Sequence, residues 1–417
     1  MKTDKRFWIT LSLVNLTIVA LLGAVLRSKI LFSIPFLNYR HVLSAHSHFA
    51  FGGWAGLCLM VLLIYNLLPA DRSRSRVYQS ILWGIEISSL GMAATFPVSG
   101  YNALAIFFSS LYIVVYFVFA GVFIKDMIKL PANKYVRLLS ISAIAALIIS
   151  SLGPLGLSYI LATKSGNANL YRDSIYTFLH FQYNGFFTLS VFALLFDHLI
   201  KRGDTPALPA RRFSIFLMLS VVPTLFLSLL WHNKQFFYII AALGCALLLL
   251  SLYYFIRWMR SMKRSVFTYP FARTILAFAA VSFALKLALN VGTIIPQLGD
   301  AVYGARPIII GFLHLVFLGF LSFFILALLV EYNYFTNKST VVKVPLIVFA
   351  VGIFANEALL GIQGLSILLQ TNSMVYNWLL WVASILLLIG AALIMVVQIK
   401  GRAVALEGNK KEPQGTL

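Results

Sequence analysis

Twelve apolar stretches, each long enough to cross a bilayer, dominate this sequence and leave little room for any other architecture. They run over approximately 7–27, 41–68, 77–97, 102–124, 136–162, 173–199, 212–232, 235–256, 272–295, 306–331, 343–369 and 376–399. A hydrocarbon core needs roughly 20 helical residues to span it. Inside lipid, a helix satisfies its own backbone polar groups. The expectation is therefore an all-α polytopic membrane protein of about twelve transmembrane helices. One helical domain would cover 1–400, followed by a polar, disordered cytoplasmic tail over 401–417. Composition agrees, at 61% hydrophobic and only 11% charged residues, where a soluble chain carries roughly twice that charged share. The first stretch ends in Leu26-Arg27-Ser28-Lys29 without a small-residue cleavage site, as a retained anchor would. Cys58 and Cys245 both lie inside apolar runs, which excludes a disulfide framework and a cysteine metal site.

The net charge of +21 would suggest nucleic acid in a soluble protein, but its distribution is topogenic. Of 33 Lys and Arg, seven fall on one side of the alternating spans: Arg27, Lys29, Arg40, Lys164, Arg172, Lys234 and Arg306. Lys286 lies inside a span, and the other 25 fall on the side that carries both termini. By the positive-inside rule that side is cytoplasmic, placing the chain in a bacterial inner membrane with both ends inside. The basic surface would touch anionic lipid; no nucleic-acid partner is implied. No internal repeat is evident, which weighs mildly against transporter folds built from two related halves.

Spans two, six and ten all begin on the outer side with an arginine, Arg40, Arg172 and Arg306. Eight residues later each carries a histidine, His48, His180 and His314. At the helical rise these imidazoles lie roughly 12 Å below the outer boundary. His232 ends span seven on the same side, and His46 precedes His48 by half a turn. His198, at the inner end of span six, reads as an ordinary interfacial residue. A hydrogen bond to a neighbouring helix accounts for any one of these histidines. Four helices presenting imidazole in one layer suggest metal ligation instead, since imidazole is the commonest ligand for iron and copper. No carboxylate cluster accompanies them, which disfavours di-iron and calcium sites. Bis-imidazole haem ligation across two helices is the sharper expectation. Glycines after the histidines, at Gly52, Gly53, Gly185 and Gly319, would admit a flat macrocycle or close helix packing. Arg40 and Arg306 would either pair with haem propionates or snorkel to headgroups.

These segments resemble subunit I of the haem-copper oxidase superfamily, which includes the nitric-oxide reductases. His46-Ser47-His48-Phe49-Ala50-Phe51-Gly52-Gly53 is similar to the segment around that family's low-spin haem ligand in span two. His180-Phe181-Gln182-Tyr183-Asn184-Gly185 resembles its metal-ligand helix, Trp231-His232-Asn233 its paired histidines, and Phe312-Leu313-His314 its His-x-His in span ten. The resemblance covers the whole chain in topology but only these four segments in residues. It implies a haem-copper-oxidase-like bundle, a low-spin b-type haem held by His314 and either His46 or His48, and a copper near His180 and His232. Equal depth favours His48. The chemistry would be electron transfer, or binding or reduction of dioxygen or nitric oxide. A quinol or cytochrome would be the donor, with partner subunits beside it. Phe312 and Asn233 stand where the family has further ligands, and Asn184 where it has a tyrosine. A divergent relative of the NnrS type fits equally.

Lys286 in span nine and Glu357 in span eleven lie at similar depth and could form a buried ion pair or a proton relay. Glu86 in span three could mark the mouth of a proton path. A twelve-span secondary transporter lined by the same polar residues remains the alternative from another functional class, and a non-catalytic haem sensor or assembly protein a third.

Overall fold

A computed structural model describes residues 4–204, 206–262, 267–335 and 340–411, the side chains of 301–304, 340 and 402–411 excepted. Every regular element among them is helical. Twelve helices are long and apolar enough to cross a membrane: Lys5–Leu31, Tyr39–Leu67, Arg76–Ser99, Ala103–Lys129, Lys134–Thr163, Ala168–Lys201, Leu208–His232, Gln235–Ser261, Pro270–Gly292, Arg306–Glu331, Val341–Leu368 and Met374–Gly401. They are spans one to twelve below. The chain is an integral membrane protein. Asn and Asp side chains start several spans by accepting otherwise unpaired backbone N–H groups. Asp4 takes Phe7 N at 2.7 Å, Asn38 takes Arg40 N at 2.9 Å and Asn102 takes Ala105 N at 2.8 Å.

The last span lies antiparallel to the first. Trp381 Nε1 donates to Ser28 Oγ at 2.9 Å and Gln398 Nε2 to Thr10 Oγ1 at 3.3 Å. Both chain ends therefore share one face, called inner here. The final helix does not stop near residue 400. It continues to Lys411, through most of the segment expected to be a disordered tail, and residues 412–417 lie outside the described ones. Helical hydrogen bonding simply propagates past the apolar stretch, one bond for each residue fixed.

Spans two, six and ten form the centre. Between 72% and 89% of their apolar windows is buried, against 22–50% for the other nine. Their inner halves are packed solid, from Leu57 to Ile64, Thr188 to Phe196 and Phe323 to Leu329. Their outer halves are not: Arg306–His314 contains no buried residue, and Ala168–His180 only Ser174 and His180. The three spans meet on an aromatic triad, with ring centroids 4.5 Å apart for Phe51 and Phe317, 5.2 Å for Phe187 and Phe317 and 5.8 Å for Phe51 and Phe187.

A local repeat, not evident in the sequence, appears at this centre. Just after His48, His180 and His314 each span passes into a π-helical segment, Ala50–Gly56, Phe181–Phe187 and Leu315–Ser322. Such π segments are rare and concentrate at functional sites. Each holds a glycine five residues past the histidine and an aromatic ring at the next position: Gly53-Trp54, Gly185-Phe186 and Gly319-Phe320. The wider turn exposes backbone acceptors, and buried donors cover two of them. Asn15 Nδ2 donates to the Gly53 carbonyl at 2.8 Å, and Lys286 Nζ to the Tyr183 carbonyl at 3.1 Å.

Candidate functional site

The geometry singles out His46, not His48, as the partner of His314. Their ring centroids lie 6.5 Å apart with planes inclined by only 21°. His46 Nδ1 contacts the Val19 carbonyl of span one at 3.0 Å, and His314 Nδ1 the Ile310 carbonyl one turn back at 2.8 Å. A carbonyl can only accept, so both Nδ1 atoms carry the proton. Both Nε2 atoms are thereby left as lone-pair donors, the tautomer that metal-binding histidines adopt. Metal–imidazole bonds of about 2.0–2.1 Å, with the ring centre about 1.2 Å behind each nitrogen, would put two axial imidazoles roughly 6.4 Å apart. The centroid separation found in the protein is of that size.

Span two turns His46 towards span one because Gly23 lies under the ring; a Cβ there would come within 3.2 Å of His46 Cε1. His48 sits half a turn away on the opposite face. Its Nδ1 donates to its own Ser44 carbonyl at 2.8 Å, its ring packs on Phe96 at 4.7 Å, and Tyr101 OH lies 3.4 Å from Nε2. His48, although at equal depth with His314, therefore faces span three rather than span ten. Depth counts only rise along the helix, whereas a side chain's neighbours also depend on its face.

Two arginines lie at the outer ends of the spans that carry or hold the histidine pair, and only one was expected. Arg306 stacks on Tyr39 at 5.2 Å, joining the outer ends of spans ten and two. Arg27 of span one lies within electrostatic reach of Tyr39, His46 and His314. Its sequence signal was weak, a basic residue at a span end like any other. Arg40 is exposed and does not join them.

His180 and His232 are not brought together on a shared site. His180 Nε2 donates to the Val221 carbonyl at 2.7 Å while Nδ1 accepts from Asn184 at 3.2 Å, so both nitrogens are engaged. His232 Nε2 pairs with Asp173 at 2.9 Å, which also accepts from Trp231 at 3.0 Å. Asn233, next along, is in the left-handed region at φ 51°. Among the described residues no three His, Cys, Asp or Glu side chains converge as a metal site. His198 is buried at the inner end against Phe267 and Tyr332.

The expected ion pair between Lys286 and Glu357 does not form. Lys286 Nζ turns instead to span six, to Thr188 Oγ1 at 2.6 Å and the Tyr183 carbonyl. A backbone acceptor freed by the π turn is nearer than any carboxylate. Glu357 is bonded to its neighbour Asn356 at 3.1 Å and faces a cavity of about 630 Å³ between spans six, seven, nine, ten and eleven. Phe312, His180 and Tyr183 line the same cavity, so span ten shows His314 to one side and Phe312 to the other. The glycines serve helix packing rather than a flat ligand. A Cβ on Gly185 would lie 2.3 Å from Ala146 Cβ, and one on Gly319 2.9 Å from Ser282 Oγ. No family model and no curated protein matches this chain.

Proposed function

We propose that this chain is a haem-binding integral membrane protein, in which His46 and His314 would hold the iron of one low-spin haem. The observation that carries the reading is the near-parallel pair of imidazoles at 6.5 Å, each with Nδ1 tied to a backbone carbonyl. Those bonds fix the tautomer and raise the basicity of both Nε2 atoms. Arg27 and Arg306 supply cationic groups at the outer edge, suited to the two carboxylates of a haem. When bound, the haem supplies one-electron redox chemistry whose potential is set by its axial ligands and by burial.

The protein's own contribution is directional. Below the π segments the bundle is packed solid, so the histidine pair communicates with the outer side. The cavity beyond span ten, mostly apolar and bordered by Phe312, suits a small neutral molecule such as dioxygen or nitric oxide. His180 and His232 keep their present partners in this reading and hold no copper. The resemblance to haem-copper oxidases, or to their NnrS-type relatives, is supported by the convergence of spans two and ten on one histidine pair. The excess of Lys and Arg on the inner face supports a cytoplasmic location for both termini in a bacterial inner membrane.

A transporter reading draws on the same cavity, with Glu357 as an acidic contact. Purified protein separates the two. A dithionite-reduced minus oxidised spectrum with a pyridine haemochrome assay is expected to show one low-spin haem per chain. A colourless protein overturns the haem proposal and leaves the transporter standing.

A further inference from the structure

Glu86 lies in span three, where the sequence suggested only the mouth of a proton path. It is instead fully enclosed, at 1% exposure, and its polar partner is Asn15 of span one, equally enclosed. Asn15 Nδ2 donates to Glu86 Oε2 at 2.8 Å and to the Gly53 carbonyl at 2.8 Å. One oxygen of each partner in this contact is left over. Glu86 Oε1 and Asn15 Oδ1 are both buried without any hydrogen-bond partner. Ser89, one turn along, buries a third unpartnered oxygen.

An ionised carboxylate in such a place, without a cation, is strongly disfavoured. Among the described residues, Asn15 supplies the hydrogen bond to the carboxyl, and the other carboxyl oxygen has none. Titratable groups inside the elements packed on this site include His46, His48 and Cys58 of span two and Tyr112 and Tyr116 of span four. None of them hydrogen-bonds Glu86, and the charged residues of these elements lie at the span ends. A single proton resolves the arrangement. Placed on Oε1 it donates to Asn15 Oδ1, while Asn15 Nδ2 continues to donate to Oε2. Both orphan oxygens are then satisfied in one cyclic acid–amide pair.

We infer that Glu86 is a proton-binding site in the membrane interior, holding its proton in a cyclic pair with Asn15. Ser12 and Trp8 continue the Asn15 face of span one inwards at helical spacing. Trp8 Nε1 donates to Gln79 Oε1 at 2.9 Å, and Gln79 Nε2 to Tyr65 OH at 3.0 Å, both half-buried at the inner end. Outward, the next turn of span one offers the Val19 carbonyl that holds His46. The site thus sits between the inner face and the histidine pair, although its assignment does not depend on a bound haem.

Infrared spectroscopy of the purified full-length protein tests this through the C=O band of a neutral carboxylic acid, which a carboxylate lacks. The wild type is expected to show such a band at neutral pH, sensitive to exchange into D2O. It should vanish in Glu86→Gln and move to higher frequency in Asn15→Leu. Glu86→Gln preserves both hydrogen bonds of the pair, so its thermal midpoint should match the wild type. Absence of any Glu86-dependent band overturns the inference. So does a band that appears only when sodium is withdrawn, which would make the three oxygens a cation site. A large loss of thermal stability in Glu86→Gln, the sign of an ionised partner, overturns it as well.

Discussion

Replacing His46 and His48 separately decides whether ring orientation or depth selects the ligand. In His46→Ala the axial pair loses one ring, and the Val19 carbonyl that oriented it loses its donor. Removing only such an outer hydrogen bond costs about 10–100-fold in metal affinity, so loss of the ring itself should exceed that range. A hundredfold fall in affinity removes about 2.7 kcal/mol of ligand-linked stability. In His48→Ala the axial pair is untouched. That ring is half-buried and bonds within its own helix turn, so about 1 kcal/mol of packing against Phe96 is at stake. The assay is haem per chain and the reduced-minus-oxidised spectrum of detergent-purified variants, with thermal midpoints alongside. His46→Ala and His314→Ala should lose the low-spin spectrum, and added imidazole should partly restore it. His48→Ala should keep the full spectrum and stoichiometry. A His48→Ala protein without low-spin haem, beside a His46→Ala protein that retains it, would refute the argument from orientation.

Three further outcomes follow from the packing. Glu331 is enclosed and accepts from Arg202 at 2.8 Å and from the backbone of Thr268 at 2.9 Å and Tyr269 at 3.3 Å. Glu331→Ala should therefore cost about 2–3 kcal/mol, discounted for the half-exposed arginine, measured as a lower melting temperature. Gly185→Ala should cost about 1–3 kcal/mol by driving span six off Ala146, and Ala146→Gly should recover most of it in the double variant. Lys286→Met should destabilise the π segment of span six, whereas Glu357→Gln should not. The double variant should be additive within about 0.5 kcal/mol, and strong coupling in that cycle would mean the two side chains do interact.

Length and hydropathy made the fold legible because a membrane span leaves a one-dimensional signature. All twelve spans lie within a few residues of the expected stretches, even where the backbone departs from a plain helix. The layer of histidines was legible too, through the shared eight-residue spacing from an outer arginine. Partner choice was not. Whether His46 or His48 faces span ten depends on Gly23 and the Val19 carbonyl of span one, contacts between helices that no local pattern encodes. Lys286 and Glu357 illustrate the same limit. Matching depth and opposite charge suggested a pair, but the π turn at Tyr183 offered the lysine a closer acceptor. Arg27 was missed because its span-end position looks like ordinary snorkelling.

The three π segments bear on why the centre is built as it is. Each lies where a histidine gives way to glycine and aromatic residues, and each marks the change from an open outer half to a solid inner half. A π turn inserts one residue and so rotates the outer half of a span relative to the inner half. The inner halves can then interlock through Phe51, Phe187 and Phe317 while the outer halves turn their polar faces elsewhere. The cost is an exposed acceptor in the membrane interior, which has no water to satisfy it. Asn15 covers that acceptor in span two and Lys286 in span six. Both covering residues also contact the functional features described above. Asn15 holds Glu86, and the backbone that Lys286 grips carries Tyr183 into the cavity beside Phe312. Polar residues that look isolated in the sequence are therefore parts of one device, which lets three central helices be dense at one end and chemically accessible at the other.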